Sequence, residues 1–149
     1  MKLRVYLDTS VFSALFDDRV PERRAATEEF WMRSGDFDLL TSRLAAEELG
    51  RTQDMELRAK LVGLLEGINI LPVTEEMTNL ARRYVADGIF SEDMFDDAVH
   101  VAAAVLSRQD ILLSWNFKHL VNRRRRAQIN QTSVLLGLPT IEVAAPPEV

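Results

Sequence analysis

Leu3-Arg4-Val5-Tyr6-Leu7-Asp8-Thr9-Ser10 is the stretch on which the fold turns. A short apolar run of strand type stops at an acid followed by two hydroxyl residues. The carboxylate and hydroxyls therefore project from the strand's end into the loop that opens the next helix. Further strand-like segments follow at 38–41, 69–72, 111–114 and 140–143, each short and apolar. Between them lie longer segments of helical periodicity at 21–33, 43–51, 54–66, 75–87, 95–108 and 121–136. Alternation of this kind predicts an α/β fold, a parallel sheet covered by helices. Thr74 and Ser91 are placed to open helices. Gly35, Gly67, Gly88 and Gly137 fall where helices should end, because glycine adopts a left-handed cap most cheaply.

At 149 residues, with 47% hydrophobic and 28% charged residues, the chain is sized for one globular domain over residues 1–144. Residues 145–149 are expected to form an extended C-terminal tail. There is no cysteine, so neither disulfides nor thiolate metal sites are available. No apolar stretch approaches the roughly 18 residues of a membrane span, and Asp8 interrupts the first apolar run, so a cytoplasmic protein is expected. The net charge of -5 argues against a sequence-independent nucleic-acid coat, since phosphate affinity comes mainly from Lys and Arg. It leaves room for a nuclease, in which acids hold metal and a local basic patch such as Arg123-Arg124-Arg125-Arg126 receives phosphates.

Three acids stand out. Asp8 lies at the end of the first strand, where an aspartate either caps the following helix or faces a ligand crevice. In Glu47-Glu48, adjacent helical positions point about 100° apart, and the Leu44 stripe selects Glu48 as the inward residue. Asp97 opens the run Asp97-Ala98-Val99-His100-Val101-Ala102-Ala103-Ala104, and a lone charge leading a buried-type helix is unusual. Glu92 and Asp93 suit a first helical turn by the helix dipole alone, with Asp93 four residues before Asp97 as an outer-shell candidate. His100 reads as a packed, hydrogen-bonded histidine. After the fourth strand, Ser114-Trp115-Asn116-Phe117-Lys118-His119 breaks into a polar turn in which Asn116 can reach the strand ends and Trp115 packs. Three carboxylates converging at one edge of a sheet require a cation.

Taken together, Asp8-Thr9-Ser10, Ser42 with Glu48-Leu49, Asp97-Ala98-Val99-His100-Val101-Ala102 and Ser114-Trp115-Asn116-Phe117 resemble the ordered motifs of PIN-domain ribonucleases, especially the VapC-like toxins of prokaryotic toxin–antitoxin pairs. The resemblance covers nearly the whole chain. It implies a three-layer α/β/α sandwich around a mainly parallel sheet of four to five strands. The implied activity is Mg2+- or Mn2+-dependent endoribonuclease, with an antitoxin partner and a homodimer. Asp8, Glu48 and Asp97 match the family's metal-binding acids. Asn116 matches the fourth catalytic position, where other members place an aspartate, and this departure puts a second metal in question. Thr9, Ser10, Asp93 and Ser114 are candidates for the surrounding shell, and Lys118, Arg123 and Arg124 for RNA contact. Hard divalent cations on carboxylates suit phosphodiester hydrolysis, because they activate water near neutral pH and offset charge on the phosphoryl oxygens. A degenerate PIN domain that binds RNA or protein without cutting is the main alternative. A receiver-like phosphotransfer domain built on Asp8 ranks behind it, lacking a second acid two residues away and a Gly-rich phosphate loop.

Overall fold

A computed structural model describes residues 1–149. The chain runs β1 (Leu3–Leu7), α1 (Thr9–Ser13), α2 (Pro21–Met32), β2 (Phe37–Ser42), α3 (Arg43–Gly50), α4 (Met55–Gly63), β3 (Asn69–Leu71), α5 (Glu75–Ala86), α6 (Phe95–Leu106), β4 (Ile111–Leu113), α7 (Arg123–Leu136) and β5 (Glu142–Ala144). All five strands are parallel, in the order β3-β2-β1-β4-β5. Val5 stands opposite Leu39 and Ile111, and Tyr6 opposite Leu40 and Leu112.

Side chains alternate across a strand, so β1 feeds two cores. Val5 and Leu7 join Ile111, Leu113, Phe12, Phe30, Leu49 and Leu61 on the face covered by α1 to α4. Tyr6 joins Leu40, Leu112 and Val143 on the other face, against Leu80 and Tyr84 of α5, Ala98 to Val105 of α6 and Ile129 of α7. Burial on both faces explains why β4 and the end of β1 read as continuous apolar runs. The result is the α/β/α sandwich that the sequence implies.

Several boundaries move for identifiable reasons. Thr74 Oγ1 does accept from Met77 N–H and opens α5. Ser91 makes no such bond. A 3-10 turn over Glu92–Met94 intervenes before α6, and the Ser91 hydroxyl donates to Asp93 instead. Asn122 caps α7 by accepting from Arg125 N–H at 2.8 Å, which starts that helix two residues later than expected. The last strand also starts late, because Asn130 takes both backbone groups of Ile141. Gly67, Gly88 and Gly137 have the left-handed backbone expected of them, but Gly35 lies in a 3-10 turn without it. The C-terminal residues are not extended. Pro146 is buried in a 3-10 turn, Glu148 accepts from Ala145 N–H, and Arg33 donates to the Val149 oxygen at 2.7 Å.

Candidate active site

From β1 the chain adds β2 and β3 on one side, then crosses to lay β4 and β5 on the other. In an open parallel sheet, the crevice at the carboxyl ends of the two strands flanking such a reversal is the natural ligand site. Here those strands are β1 and β4. Asp8 continues β1 by donating its N–H to Leu113 O at 3.0 Å. Its carboxylate is almost fully buried and gathers three donors: Thr9 N–H on Oδ1 at 2.8 Å, and the Ser10 and Ser114 hydroxyls on Oδ2 at 2.8 and 2.6 Å. A carboxylate only accepts, so both hydroxyls must donate to it. The Ser10 oxygen then accepts from Trp115 N–H, and the Ser114 oxygen from Asn116 N–H. Asp8 thus caps α1 and ties the ends of β1 and β4 together. The two readings of this residue are compatible.

Glu48 reaches the same edge from α3, half-buried, while Glu47 forms a surface pair with Arg51. Glu48 Oε1 lies 2.7 Å from His100 Nε2, which is 3.8 Å from Asp8 Oδ1. His100 is fully buried on α6. Its Nδ1 meets the Tyr6 hydroxyl at 2.7 Å, and that hydroxyl meets Ser42 Oγ at 2.7 Å. Burial alone would press the His100 imidazolium down in pKa. The Tyr6 oxygen, the Glu48 hydrogen bond and the Asp8 charge outweigh it and hold the group well above the usual range. A buried polar chain therefore runs from β2 through β1 and α6 to Glu48.

Asp97 sits in the first turn of α6, partly buried, with Oδ2 2.8 Å from His119 Nδ1. Burial raises its carboxyl above the usual range. The His119 hydrogen bond works against this and the Asp8 charge adds to it. Asp97 therefore lies close enough to feel the Asp8 charge.

Of the remaining sequence candidates, Ser10 and Ser114 surround Asp8 as described. Asp93 is exposed, in a 3-10 turn out of helical phase with Asp97, and its carboxyl is lowered first by the Ser91 hydrogen bond. Asn116 does not bring its oxygen to the carboxylates; Oδ1 accepts from His119 N–H at 2.9 Å. Trp115 packs and donates to Thr27 at 2.8 Å. Lys118, Arg123 and Arg124 are exposed. Arg125 instead turns inward, donating to His119 O at 2.7 Å with its guanidinium over the Phe90 ring. His100 is the packed, hydrogen-bonded histidine that its place in the sequence suggests, one helical turn after Asp97. Tyr6, His119 and Arg125 are the site residues whose contacts the sequence did not reveal.

No group of three or more acidic or imidazole side chains stands ready-made to hold a metal ion. The donor chemistry nonetheless suits a hard divalent cation, which takes carboxylate and hydroxyl oxygens. Three carboxylates lie at one sheet edge. Beside Asp8, Thr9 Oγ1 is buried without a hydrogen-bond partner, an oxygen free to complete such a shell.

Fold and site define an α/β/α protein with acidic side chains at the carboxyl edge of its sheet. Residues 5–116 match the model of the PIN domain, and the chain belongs to that family, whose members are generally nucleases and typically use divalent metals. Among solved structures, VapBC-1 from nontypeable Haemophilus influenzae aligns with TM-score 0.62 at 15% identity, over 97% of this chain and 99% of that one. FitAcB from Neisseria gonorrhoeae aligns with TM-score 0.59 at 16% identity, over 97% and 99%. VapC20 of Mycobacterium tuberculosis, a toxin that cleaves the sarcin-ricin loop, aligns with TM-score 0.60 at 15% identity, over 77% and 92%. At such identities the likeness is one of fold. No curated protein matches the sequence significantly. No helix is long and apolar enough to cross a membrane.

Proposed function

We propose that this chain is a divalent-metal-dependent endoribonuclease, the toxin of a toxin–antitoxin pair. The observation that carries the reading is a PIN-domain fold in which Asp8 and Glu48 both approach His100, at 3.8 and 2.7 Å, with Asp97 close enough to feel the Asp8 charge. Asp8, Glu48 and Asp97 would hold Mg2+ or Mn2+. When bound, such an ion supplies a water of lowered pKa and charge to offset the phosphoryl oxygens. The rest falls to the chain's own groups. The Ser10 and Ser114 hydroxyls hold the Asp8 carboxylate in one orientation, and Thr9 offers a further oxygen. Asn116 Nδ2, the half of that amide not used by His119, donates to a phosphate oxygen. Lys118, Arg123 and Arg124 receive the flanking phosphates. VapBC structures from Rickettsia felis and Haemophilus influenzae support an antitoxin as partner, and we extend to this chain a cytoplasmic location and a homodimeric assembly.

A second reading, a PIN domain that binds RNA or protein without cutting, is favoured by the commitment of the carboxylates to histidine and hydroxyl donors rather than to an open metal cage. One experiment separates the two. A mixed RNA pool is incubated with purified protein and Mg2+ or Mn2+, with chelator, and with an identically prepared Asp97→Asn protein. The nuclease reading expects cleavage that needs metal and falls at least a hundredfold in the variant, a loss of about 2.7 kcal/mol of transition-state stabilisation. Equal cleavage by both proteins would mean a contaminant, and none by either would favour the binding domain.

A further inference from the structure

We propose that His119 is the positioning residue of the Asp97 carboxylate, and that Asn116 acts on the site through His119 rather than as a fourth ligand. The inference rests on the metal centre proposed above.

His119 belongs to the turn between β4 and α7, and its ring reaches back to a residue on α6. Because an ionised carboxylate only accepts, the hydrogen of the 2.8 Å contact sits on His119 Nδ1. This bond engages Oδ2 alone. Asp97 Oδ1 is left to face a cation, and the torsion of the carboxylate is set by the ring.

The ring can set that torsion only if its own backbone is fixed, and four hydrogen bonds fix it. Its N–H donates to Asn116 Oδ1 at 2.9 Å, and its carbonyl accepts from Arg125 Nη1 at 2.7 Å. Leu120 and Val121, the next two residues, both donate their N–H to Asn116 O at 2.9 Å and bury their side chains in the core. Arg125 is held in turn by the Asn122 cap and by the Phe90 ring, 4.7 Å from the guanidinium carbon. Asn116 therefore serves the turn with both of its oxygens.

This explains the residue type. An aspartate at 116 would offer the same acceptor oxygen but would add a fourth negative charge near Asp8 and Asp97, whose charges already disfavour one another. Asparagine keeps the bracket without that charge. The site's fourth partner is then the imidazole that the bracket aims.

Hydrogen-bonded partners of metal-ligating carboxylates are typically worth 10- to 100-fold in metal affinity. Titration of Mn2+ followed by electron paramagnetic resonance measures this directly, without turnover, on the full chain. We expect Asp97→Asn to abolish binding and His119→Ala to weaken it about 10- to 100-fold. Asn116→Ala should weaken binding alone but add nothing in the His119→Ala background, since both changes release the same ring. His119→Gln, which keeps an N–H donor, should recover part of the loss; it also serves as the probe should His119→Ala fail to melt cooperatively.

Three results would overturn the inference. Unchanged or tighter Mn2+ binding in folded His119→Ala protein would make the imidazole a bystander or a competitor. Additive losses from Asn116→Ala and His119→Ala would mean that Asn116 acts on the metal independently. Absence of Mn2+ binding by the unaltered protein would remove the metal centre itself, an outcome distinct from the other two.

Discussion

At the residue scale, Asp97 has an energetic cost that the metal-free protein must carry. Its carboxyl is raised, first by burial, and the Asp8 charge adds to this while the His119 hydrogen bond only partly compensates. A raised carboxyl means that the folded state binds its proton more tightly than the unfolded state does. Between the unfolded and folded pKa values stability therefore falls as pH rises, and at neutral pH the ionised group is destabilising. Asp97→Asn removes the charge and keeps an oxygen for His119. We expect the variant to melt at a higher temperature than the unaltered protein at pH 7 in chelator. The gap should shrink as pH drops below the folded pKa, where the natural residue is protonated too. Equal melting at pH 7, or a gap independent of pH, would show that the charge carries no such cost.

At the scale of elements, legibility followed burial. The central strands could be read because β4 and the end of β1 are apolar and buried on both faces, and α6 because its buried run of eight residues continues into a segment of helical length. The five-residue α1 could not be read, since it is too short to show a period, and the last-strand shift depends on Asn130, a side chain on a different element. The site divided in the same way. An acid leading a buried helix or ending a buried strand is conspicuous, so Asp8 and Asp97 could be picked out. A histidine inside a helix or in a turn is as easily a packing residue as a partner for a carboxylate, and only the fold shows that His119 points at Asp97. Gly137 gives a test at this scale. Its backbone is left-handed at φ 70°, it ends α7, and a Cβ there would meet nothing within 4 Å. Gly137→Ala should therefore cost only the backbone strain, about 1–2 kcal/mol. Denaturant midpoints at unchanged slope measure it. A cost near zero would mean that the αL cap is not held in solution.

For the whole molecule, the sign of the field is the remaining problem. A net charge of -5 repels RNA at long range, and the proposed centre is itself acidic, so the substrate must be drawn in by local cations. The arginine run divides on structural grounds. Arg125 and Arg126 are partly buried and engaged, Arg125 with His119 and Arg126 with Glu148 at 3.7 Å, whereas Arg123 and Arg124 are exposed at the start of α7. That end of α7 follows the turn carrying Asn116 and His119 within a few residues of chain, which makes the two exposed arginines the candidates to draw RNA in. If they receive phosphates, the Arg123→Ala/Arg124→Ala double variant should raise KM and leave kcat at saturating RNA unchanged, because neither group acts on the reacting atoms. The logarithmic salt dependence of RNA binding should also flatten by about 0.7 for each single-strand phosphate that the protein no longer neutralises. An unaltered slope would mean that the arginines only solvate the helix, and the approach would then have to be sought around Lys118, the exposed residue that precedes His119.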